Sequence, residues 1–262
     1  MTGLPELMAF AHRLADAARA ETLGRWSAGC RVDGKSGALD FDPVTDADRE
    51  GERAMRTLIE AVHPDHGIAG EEFPEKPARG RWGWSLDPVD GTRSFICRLP
   101  SWVTLIALLE DGVPAIGLID APALDERYAA GDGTAMVRSA AGEAPLRTSG
   151  CALLAEARLS TTDPFILGES GQAGFERLRR AARTTRYGLD GYGYARLAAG
   201  SLDLVVESCL KPHDYNALVP IVLAAGGLIG NWKGGGDLSS GRIIAAATPA
   251  LFEAAVREME HA

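Results

Sequence analysis

The sequence of 262 residues lacks the features that mark several specialised classes of protein. No segment approaches the roughly 18 consecutive apolar residues that a membrane-spanning helix requires, so we expect no membrane association. The segment from Met1 to Glu6 has no basic stretch followed by an apolar one, which argues against a secretory signal. We therefore expect a cytoplasmic location.

Cysteine and positive charge are both scarce. Cys30, Cys97, Cys151 and Cys209 are widely spaced and form no Cys-x-x-Cys pair, which argues against a disulfide framework or a zinc site. The formal net charge of −9 argues against a nucleic-acid partner. It does not exclude a small anionic substrate, because carboxylates gathered around divalent cations still leave a site that attracts phosphate.

The hydrophobic pattern predicts alternating helices and strands, with a hairpin in the middle of the chain. Helices are predicted from Leu4 to Ala18, from Thr45 to Val62, and over 176–183, 194–199, 214–225 and 249–259. Strands are predicted over 82–86, 103–109, 115–119, 202–207 and 243–247. This alternation indicates a layered α/β or α+β architecture and not a plain Rossmann sheet.

The segment 87–92 (DPVDGT) is the most informative part of the sequence. A predicted strand ends there at Asp87, three residues before Asp90. Both carboxylates can face one cation, with the carbonyl of Val89 as a further ligand, and such oxygen ligands suit Mg²⁺. A helix that begins near Gly91 would offer free amides to a phosphate. Taken alone, the segment also fits an ordinary turn.

Further acidic motifs accompany this segment, and together they resemble those of the inositol monophosphatase family of metal-dependent phosphatases. The matching strings are Pro43-Val44-Thr45-Asp46-Ala47-Asp48, Gly70-Glu71-Glu72, Asp87-Pro88-Val89-Asp90-Gly91-Thr92 and the stretch 214–227. They occur in the family's order and with similar spacing, and the resemblance extends over roughly residues 5–260.

The resemblance implies which residues bind metal. Glu71, Asp87 and the carbonyl of Val89 would hold a first ion. Asp87, Asp90 and Asp214 would hold a second, which makes Asp87 the candidate bridge between two ions. Members of the family use two or three Mg²⁺ ions, and we expect the same here.

The resemblance also implies which residues carry out hydrolysis. Thr92 and Asp48 are similar to the pair that orients the attacking water, with Glu71 assisting. The amides of Gly91 and Thr92 are similar to the family's phosphate-binding groups. Considered alone, Asp48 is better explained as the capping-box acid of the helix that begins at Thr45.

The family's architecture gives the expected fold, a layered α-β-α-β-α sandwich of the inositol monophosphatase and sugar phosphatase type, commonly a homodimer. We expect one phosphatase unit over residues 1–262. Its first half, about 1–145, would carry most metal ligands. Its second half, about 146–262, would carry the substrate residues and the last metal ligand.

Within the family, three stretches are similar to the branch that hydrolyses L-histidinol phosphate to L-histidinol and phosphate in histidine biosynthesis. They are Arg93-Ser94-Phe95, 99–108 and 187–192. Asp190 and Glu207 add a pair of carboxylates that suits the amine and the imidazole of this substrate through charge-assisted hydrogen bonds. The expected substrate-binding residues are Gly91, Thr92, Arg93, Asp190 and Glu207.

Other functions remain open at this point. An inositol-1-monophosphatase or a phosphatase of broad specificity is the main alternative, since inositol-type enzymes also carry a glutamate at Glu207. Asp190 discriminates better between the two. Relatives that act on nucleotide phosphates tend to carry lysine where this chain has Arg93. A non-catalytic regulatory member would need a damaged set of metal ligands, and the set here is complete.

Overall fold

The computed structural model describes residues 3–34 and 43–260. Met1 and Thr2, which entered the argument about a secretory signal, lie outside these ranges. The helices are α1 (Leu4–Ala28), α2 (Asp46–Val62), α3 (Thr92–Ile96), α4 (Gly168–Ala181), α5 (Asp190–Ala198), α6 (Pro212–Tyr215), α7 (Leu218–Ala224) and α8 (Pro249–Glu260). The strands are β1 (Val32–Gly34), β2 (Pro43–Thr45), β3 (Gly67–Gly70), β4 (Trp82–Asp90), β5 (Val103–Glu110), β6 (Val113–Ala121), β7 (Glu126–Gly131), β8 (Thr134–Ser139), β9 (Gly142–Pro145), β10 (Arg158–Thr161), β11 (Thr184–Tyr187), β12 (Leu204–Glu207), β13 (Leu228–Asn231) and β14 (Ile243–Ala246).

The larger sheet has the strand order β3-β4-β5-β6-β7-β8-β9. β3 runs parallel to β4, and every other neighbouring pair is antiparallel. The hairpin between β5 and β6 turns at Asp111 and Gly112, whose φ angles of 50° and 83° suit a tight turn that matches the twist of the strands. The hairpin predicted at this dipeptide is therefore confirmed.

The smaller sheet has the order β11-β10-β12-β14-β13. β10 is parallel to both β11 and β12, whereas β14 is antiparallel to β12 and β13. The larger sheet ends at Pro145 and the smaller one begins at Arg158, so each is built from a continuous part of the chain. The division of metal and substrate residues between two halves stays a prediction.

Alternation along the strands builds three hydrophobic cores. In β5, Ile106 and Leu108 pack against α1 and α2, whereas Leu105 and Ala107 point to the opposite face, toward α5 and α7. Those two helices lie between the sheets, and α4 and α8 cover the outer face of the smaller sheet. The result is the five-layer α-β-α-β-α sandwich, which confirms the expected fold.

Several predicted elements differ from the observed ones in their bounds. α1 continues past Ala18 to Ala28, and the helices predicted over 176–183 and 194–199 begin earlier, at Gly168 and Asp190. Two further differences lie close to the acidic motifs. β4 continues to Asp90 instead of ending before Asp87. The helix predicted over 214–225 is divided into α6 and α7. Pro220 explains the division, because it has no N–H to donate to the carbonyl of Asn216, four residues earlier. Within the described ranges, no helix combines the length and apolar character needed to cross a membrane.

Candidate metal centre and substrate pocket

The first turn of α2 places Asp48. Thr45 caps the helix, since its Oγ1 accepts a hydrogen bond from the amide of Ala47 at 3.1 Å. Asp48 Oδ2 accepts in return from the Thr45 amide at 2.8 Å, which completes a capping box. Asp48 Oδ1 remains directed at the hydroxyl of Thr92, at 3.5 Å. The capping role and the catalytic placement of Asp48 are thus compatible.

An irregularity at the end of β4 brings Asp87 and Asp90 together. Residues three apart in a regular strand point to opposite faces. Here Asp87 pairs with Leu105 and Asp90 with Val103, so three steps along β4 match two along β5. The extra residue is a β-bulge, and it returns Asp90 to the side of Asp87.

Asp214 reaches the same place from the other half of the chain. It lies in α6, and the Lys211 amide holds its Oδ2 at 2.6 Å. Carboxylate oxygens of Asp87, Asp90 and Asp214 all lie within 4.8 Å of one another. Glu71, at the end of β3, lies outside this tight group.

The surroundings of these acids disfavour their ionised forms. Burial raises the pKa of Asp87 well above its usual value, and the charge of Glu71 is the next largest cause. Desolvation likewise raises the pKa of Asp90 well above its usual value, with the charge of Asp190 as the next cause. It also raises the pKa of Asp214, against an opposing effect of His213. Desolvated carboxylates this close repel one another unless a proton or a cation intervenes.

This donor set fits a hard divalent cation. The three aspartates offer only oxygen atoms, and the Val89 carbonyl lies in the same segment. Carboxylate and carbonyl oxygens are the ligands that Mg²⁺ prefers. The structure therefore brings Asp87, Asp90 and Asp214 together as the sequence predicted, with Glu71 near enough to act on Asp87.

Gly91 and Thr92 form the turn that follows the aspartates. Gly91 has a left-handed backbone (φ 85°), and Thr92 begins α3. The Thr92 hydroxyl lies 3.1 Å from the Val89 carbonyl oxygen. A helix does begin here, as predicted, but α3 has only five residues. A phosphate bound at this turn would therefore be held by the local amides more than by a helix dipole.

Two of the five expected substrate residues line a cleft that also includes two expected metal ligands. Asp90, Asp190, Glu207 and Asp214 all contribute to this cleft of about 260 Å³. The amide of Gly191, at the start of α5, donates a hydrogen bond to Asp90 Oδ2. The expected substrate carboxylates therefore lie next to the expected metal ligands.

The carboxylates of Asp190 and Glu207 are both held in a desolvated environment. Burial raises the pKa of Asp190 to about 6, although the charge of Arg93 lowers it. Burial raises the pKa of Glu207 to about 8. Thr162 holds Glu207 through its amide at 2.7 Å and its hydroxyl at 2.9 Å, both donated to Oε1. Arg93 itself is largely exposed, with Nη1 4.0 Å from Asp163 Oδ2.

The cleft contains residues that the sequence did not single out. Thr162, Tyr194 and Cys209 line it together with the acids. Among the described residues, neither the Tyr194 hydroxyl nor Glu207 Oε2 has a hydrogen-bond partner, although both are buried. Tyr194 has the spacing of a core residue of α5, so no sequence signal distinguishes it. A threonine such as Thr162 carries no motif either.

Comparisons with known proteins agree with this geometry. A sequence model of the inositol monophosphatase family matches residues 4–262. The bifunctional phosphatase IMPL2 of Arabidopsis thaliana is 43% identical over 197 residues, which are 74% of this chain and 56% of that protein. The chain thus spans little more than half the length of this relative. A histidinol-phosphatase of Mycobacterium tuberculosis is 35% identical over 228 residues, 84% of this chain and 86% of that protein.

A solved structure shares the whole fold. An inositol monophosphatase from Zymomonas mobilis superposes with a TM-score of 0.84 at 38% identity, covering 99% of this chain and 100% of the other. The family match and this structure each extend over nearly the whole chain. The chain therefore belongs to the inositol monophosphatase family.

Proposed function

We propose that this chain is a Mg²⁺-dependent phosphatase that hydrolyses L-histidinol phosphate to L-histidinol and phosphate. The phosphatase class follows from family membership. The choice of substrate rests on one observation: Asp190 and Glu207 line the cleft that contains Asp90 and Asp214. One end of this cleft suits a phosphate held through cations, and the other end suits a cationic alcohol.

The chemistry of the cleft favours a substrate with positively charged hydrogen-bond donors. Glu207 Oε1 is already engaged by Thr162, and the Thr161 hydroxyl is close enough to lower the pKa of Glu207, but Oε2 makes no hydrogen bond within 3.5 Å among the described residues. Desolvated carboxylates are stabilised most by charged donors. Histidinol phosphate offers an amine and an imidazole, whereas an inositol ring offers only hydroxyls. A cationic alcohol therefore matches Asp190 and Glu207 better.

The metal would be held by Asp87, Asp90 and Asp214, with Glu71 and the Val89 carbonyl completing the set. Two or three Mg²⁺ ions are part of this proposal. Bound there, such ions would supply positive charge that activates a water and neutralises the leaving oxygen. The raised pKa values of Asp87 and Asp90 support the need for that charge.

The protein's own contribution to the attack begins with Thr92. Its single hydroxyl proton can go to the Val89 carbonyl at 3.1 Å or to Asp48 Oδ1 at 3.5 Å. Donation to Asp48 leaves a Thr92 lone pair to accept a hydrogen bond from the attacking water. Burial raises the pKa of Asp48 to about 7, so this carboxyl can take up and return a proton near neutrality.

Inositol 1-phosphate is the second candidate substrate. The Zymomonas mobilis protein, named as an inositol monophosphatase, is 38% identical and covers 99% of this chain. The histidinol-phosphatase of Mycobacterium tuberculosis supports the first candidate at 35% identity. Identity alone does not separate them, and Asp190 becomes the deciding residue. The homodimeric state and the cytoplasmic location expected from the sequence remain predictions.

A substrate panel with purified protein and Mg²⁺ tests the proposal. Phosphate release from histidinol phosphate should exceed release from inositol 1-phosphate by orders of magnitude. Fructose 1,6-bisphosphate and phosphoadenosine phosphate complete the panel. Equal kcat/KM on the first two substrates would refute the narrow specificity.

The variant Asp190→Asn tests whether Asp190 determines the preference for histidinol phosphate. Losing a charge-assisted hydrogen bond of about 1.5–3 kcal/mol should lower kcat/KM for histidinol phosphate by about 10- to 100-fold. The rate on inositol 1-phosphate should stay within about twofold. Asp132→Asn, at an exposed turn between β7 and β8, is the matched control and should change neither rate. Equal losses on both substrates would show that Asp190 does not read the cationic group.

A further inference from the structure

A buried acid on α2 contacts the segment that carries Glu71. Glu52 has no exposed surface. Its Oε2 accepts a hydrogen bond from the Glu72 amide at 2.7 Å, and its Oε1 accepts one from Arg56 Nε at 2.6 Å. The side chain of Glu52 therefore joins the helix to the backbone directly after Glu71.

Arg56 holds the same segment from one helical turn further on. Its Nη2 donates to the carbonyl of Phe73 at 3.1 Å, and the guanidinium lies over the Phe73 ring at 5.7 Å. Gly70 leaves room for this arrangement, because a Cβ there would collide with the Glu52 carboxylate. The backbone on both sides of Glu71 is thus fixed by two side chains of α2.

The same face of α2 contacts the other segments of the metal centre. One turn earlier, Asp48 reaches Thr92. Between them, Gly51 packs so closely on Pro88 that a Cβ would lie 2.9 Å from the proline Cβ. A rigid helix therefore sets the distance between the Glu71 segment and the Asp87–Thr92 segment.

We infer that Glu52 and Arg56 form a positioning pair that holds Glu71 at the metal centre and so determines the affinity of the protein for Mg²⁺. This inference rests on the metal-binding role proposed for Glu71. Neither Glu52 nor Arg56 is a metal ligand in it. Outer residues that orient metal ligands typically change metal affinity by about 10- to 100-fold when substituted.

A second pair on α2 provides the contrast with an ordinary helix ion pair. Glu50 and Arg53 are also bonded to each other, but both side chains are partly exposed. The Arg53 guanidinium does lie over the Phe73 ring, at 5.3 Å, but Glu50 makes no hydrogen bond to the 70–73 segment among those found in the described residues. A merely stabilising helix pair would resemble this one, and its loss would leave Mg²⁺ affinity unchanged.

The test measures binding of Mg²⁺ alone to the full chain after chelator treatment and dialysis, by isothermal calorimetry. Glu52→Gln should weaken Mg²⁺ binding by about 10- to 100-fold. Arg56→Lys keeps the positive charge but loses the guanidinium group that bonds to Glu52 and to Phe73 at the same time. This variant should weaken Mg²⁺ binding by a smaller factor. The matched control Glu50→Gln should stay within twofold of the wild type.

A double variant tests the coupling directly. Glu52→Gln combined with Arg56→Gln replaces the ion pair by a neutral hydrogen bond and should recover part of the affinity lost in Glu52→Gln. Circular dichroism and melting temperature confirm that each protein is folded. If both folded single variants bind Mg²⁺ within twofold of the wild type, the positioning role is wrong.

The failure of this inference is distinguishable from failure of the proposed function. Glu71→Gln is the reference, because it should lose more affinity than either positioning variant. Normal Mg²⁺ binding by Glu71→Gln, or none by the wild type, would overturn the proposed metal centre and the inference together. Normal binding by Glu52→Gln and Arg56→Lys, with a clear loss in Glu71→Gln, would overturn only the positioning role.

Discussion

Replacing Asp48 by asparagine should remove turnover and yet make the metal-free protein more stable above pH 7. Asp48 is 1% exposed, and its carboxylate is surrounded by other acids. Burial raises its pKa from 3.8 to about 7, with the charges of Glu72 and Glu71 adding to the rise. The folded protein therefore resists ionisation of a group that ionises freely in the unfolded chain.

The direction of the pH dependence follows from proton counting. Between pH 4 and pH 7, the folded carboxyl keeps a proton that the unfolded one has released, so the free energy of unfolding falls as pH rises through this window. The pKa difference of about three pH units, at about 1.36 kcal/mol each, amounts to about 4 kcal/mol once both states are ionised. Weakening the capping box should cost about 1 kcal/mol. Asp48→Asn should therefore gain about 3 kcal/mol at pH 8.

Urea unfolding in excess chelator at pH 8 and pH 5 measures this effect. At pH 5 the unfolded carboxyl is mostly ionised while the folded one is protonated, so about 1.6 kcal/mol of the penalty remains, and the advantage of Asp48→Asn should shrink to about 0.6 kcal/mol. Asp46→Asn, on the same helical turn but half-exposed, is the control for the loss of a carboxylate from this turn. If Asp48→Asn is less stable than the wild type at pH 8 without metal, the raised pKa is wrong.

Three other outcomes follow from the site. Mg²⁺ should raise the melting temperature more at pH 8 than at pH 5, because protons compete with Mg²⁺ for carboxyls whose pKa values are raised by burial. Scanning fluorimetry measures the two shifts in melting temperature, and equal shifts would contradict the prediction. Gly191→Ala should lower kcat by about tenfold or more with little change in melting temperature, since its Cβ would lie 2.5 Å from Asp90 Oδ2. Tyr194→Phe should raise KM for histidinol phosphate by about fivefold, because the loss of one hydrogen bond to the substrate costs about 1 kcal/mol. The KM for p-nitrophenyl phosphate should stay unchanged.

The long elements and the acidic motifs could be predicted from the sequence. Helices such as α1 and α2 bury one regular face, so their apolar spacing is visible in the chain. The tight turn at Asp111-Gly112 also has a local signature. Predicting that Asp87 and Asp90 group with Asp214 required the family resemblance. No local sequence pattern indicates that a residue more than 120 positions away comes within 4.8 Å of them.

Other features depend on tertiary contacts that leave no local pattern. Strands of four residues, such as β10 and β11, are too short for their alternation to be recognised. The continuation of β4 to Asp90 depends on pairing with β5, and a proline at position 88 argues against it from sequence alone. In the sequence, nothing distinguishes Glu52 from an acidic residue on a helix surface. Only the structure shows that its side chain is completely buried.

The β-bulge in β4 also bears on how this protein family could lose its activity. Shortening the bulge by one residue would let β4 and β5 pair residue for residue, but it would also remove either Pro88, which packs on Gly51, or Val89, which is a buried core residue. The two aspartates would lose their fit to their present neighbours, Gly191 and Asp214. The loss of one codon at the bulge would thus disturb the metal centre and the packing around it together, and the inactive protein would also be less stable.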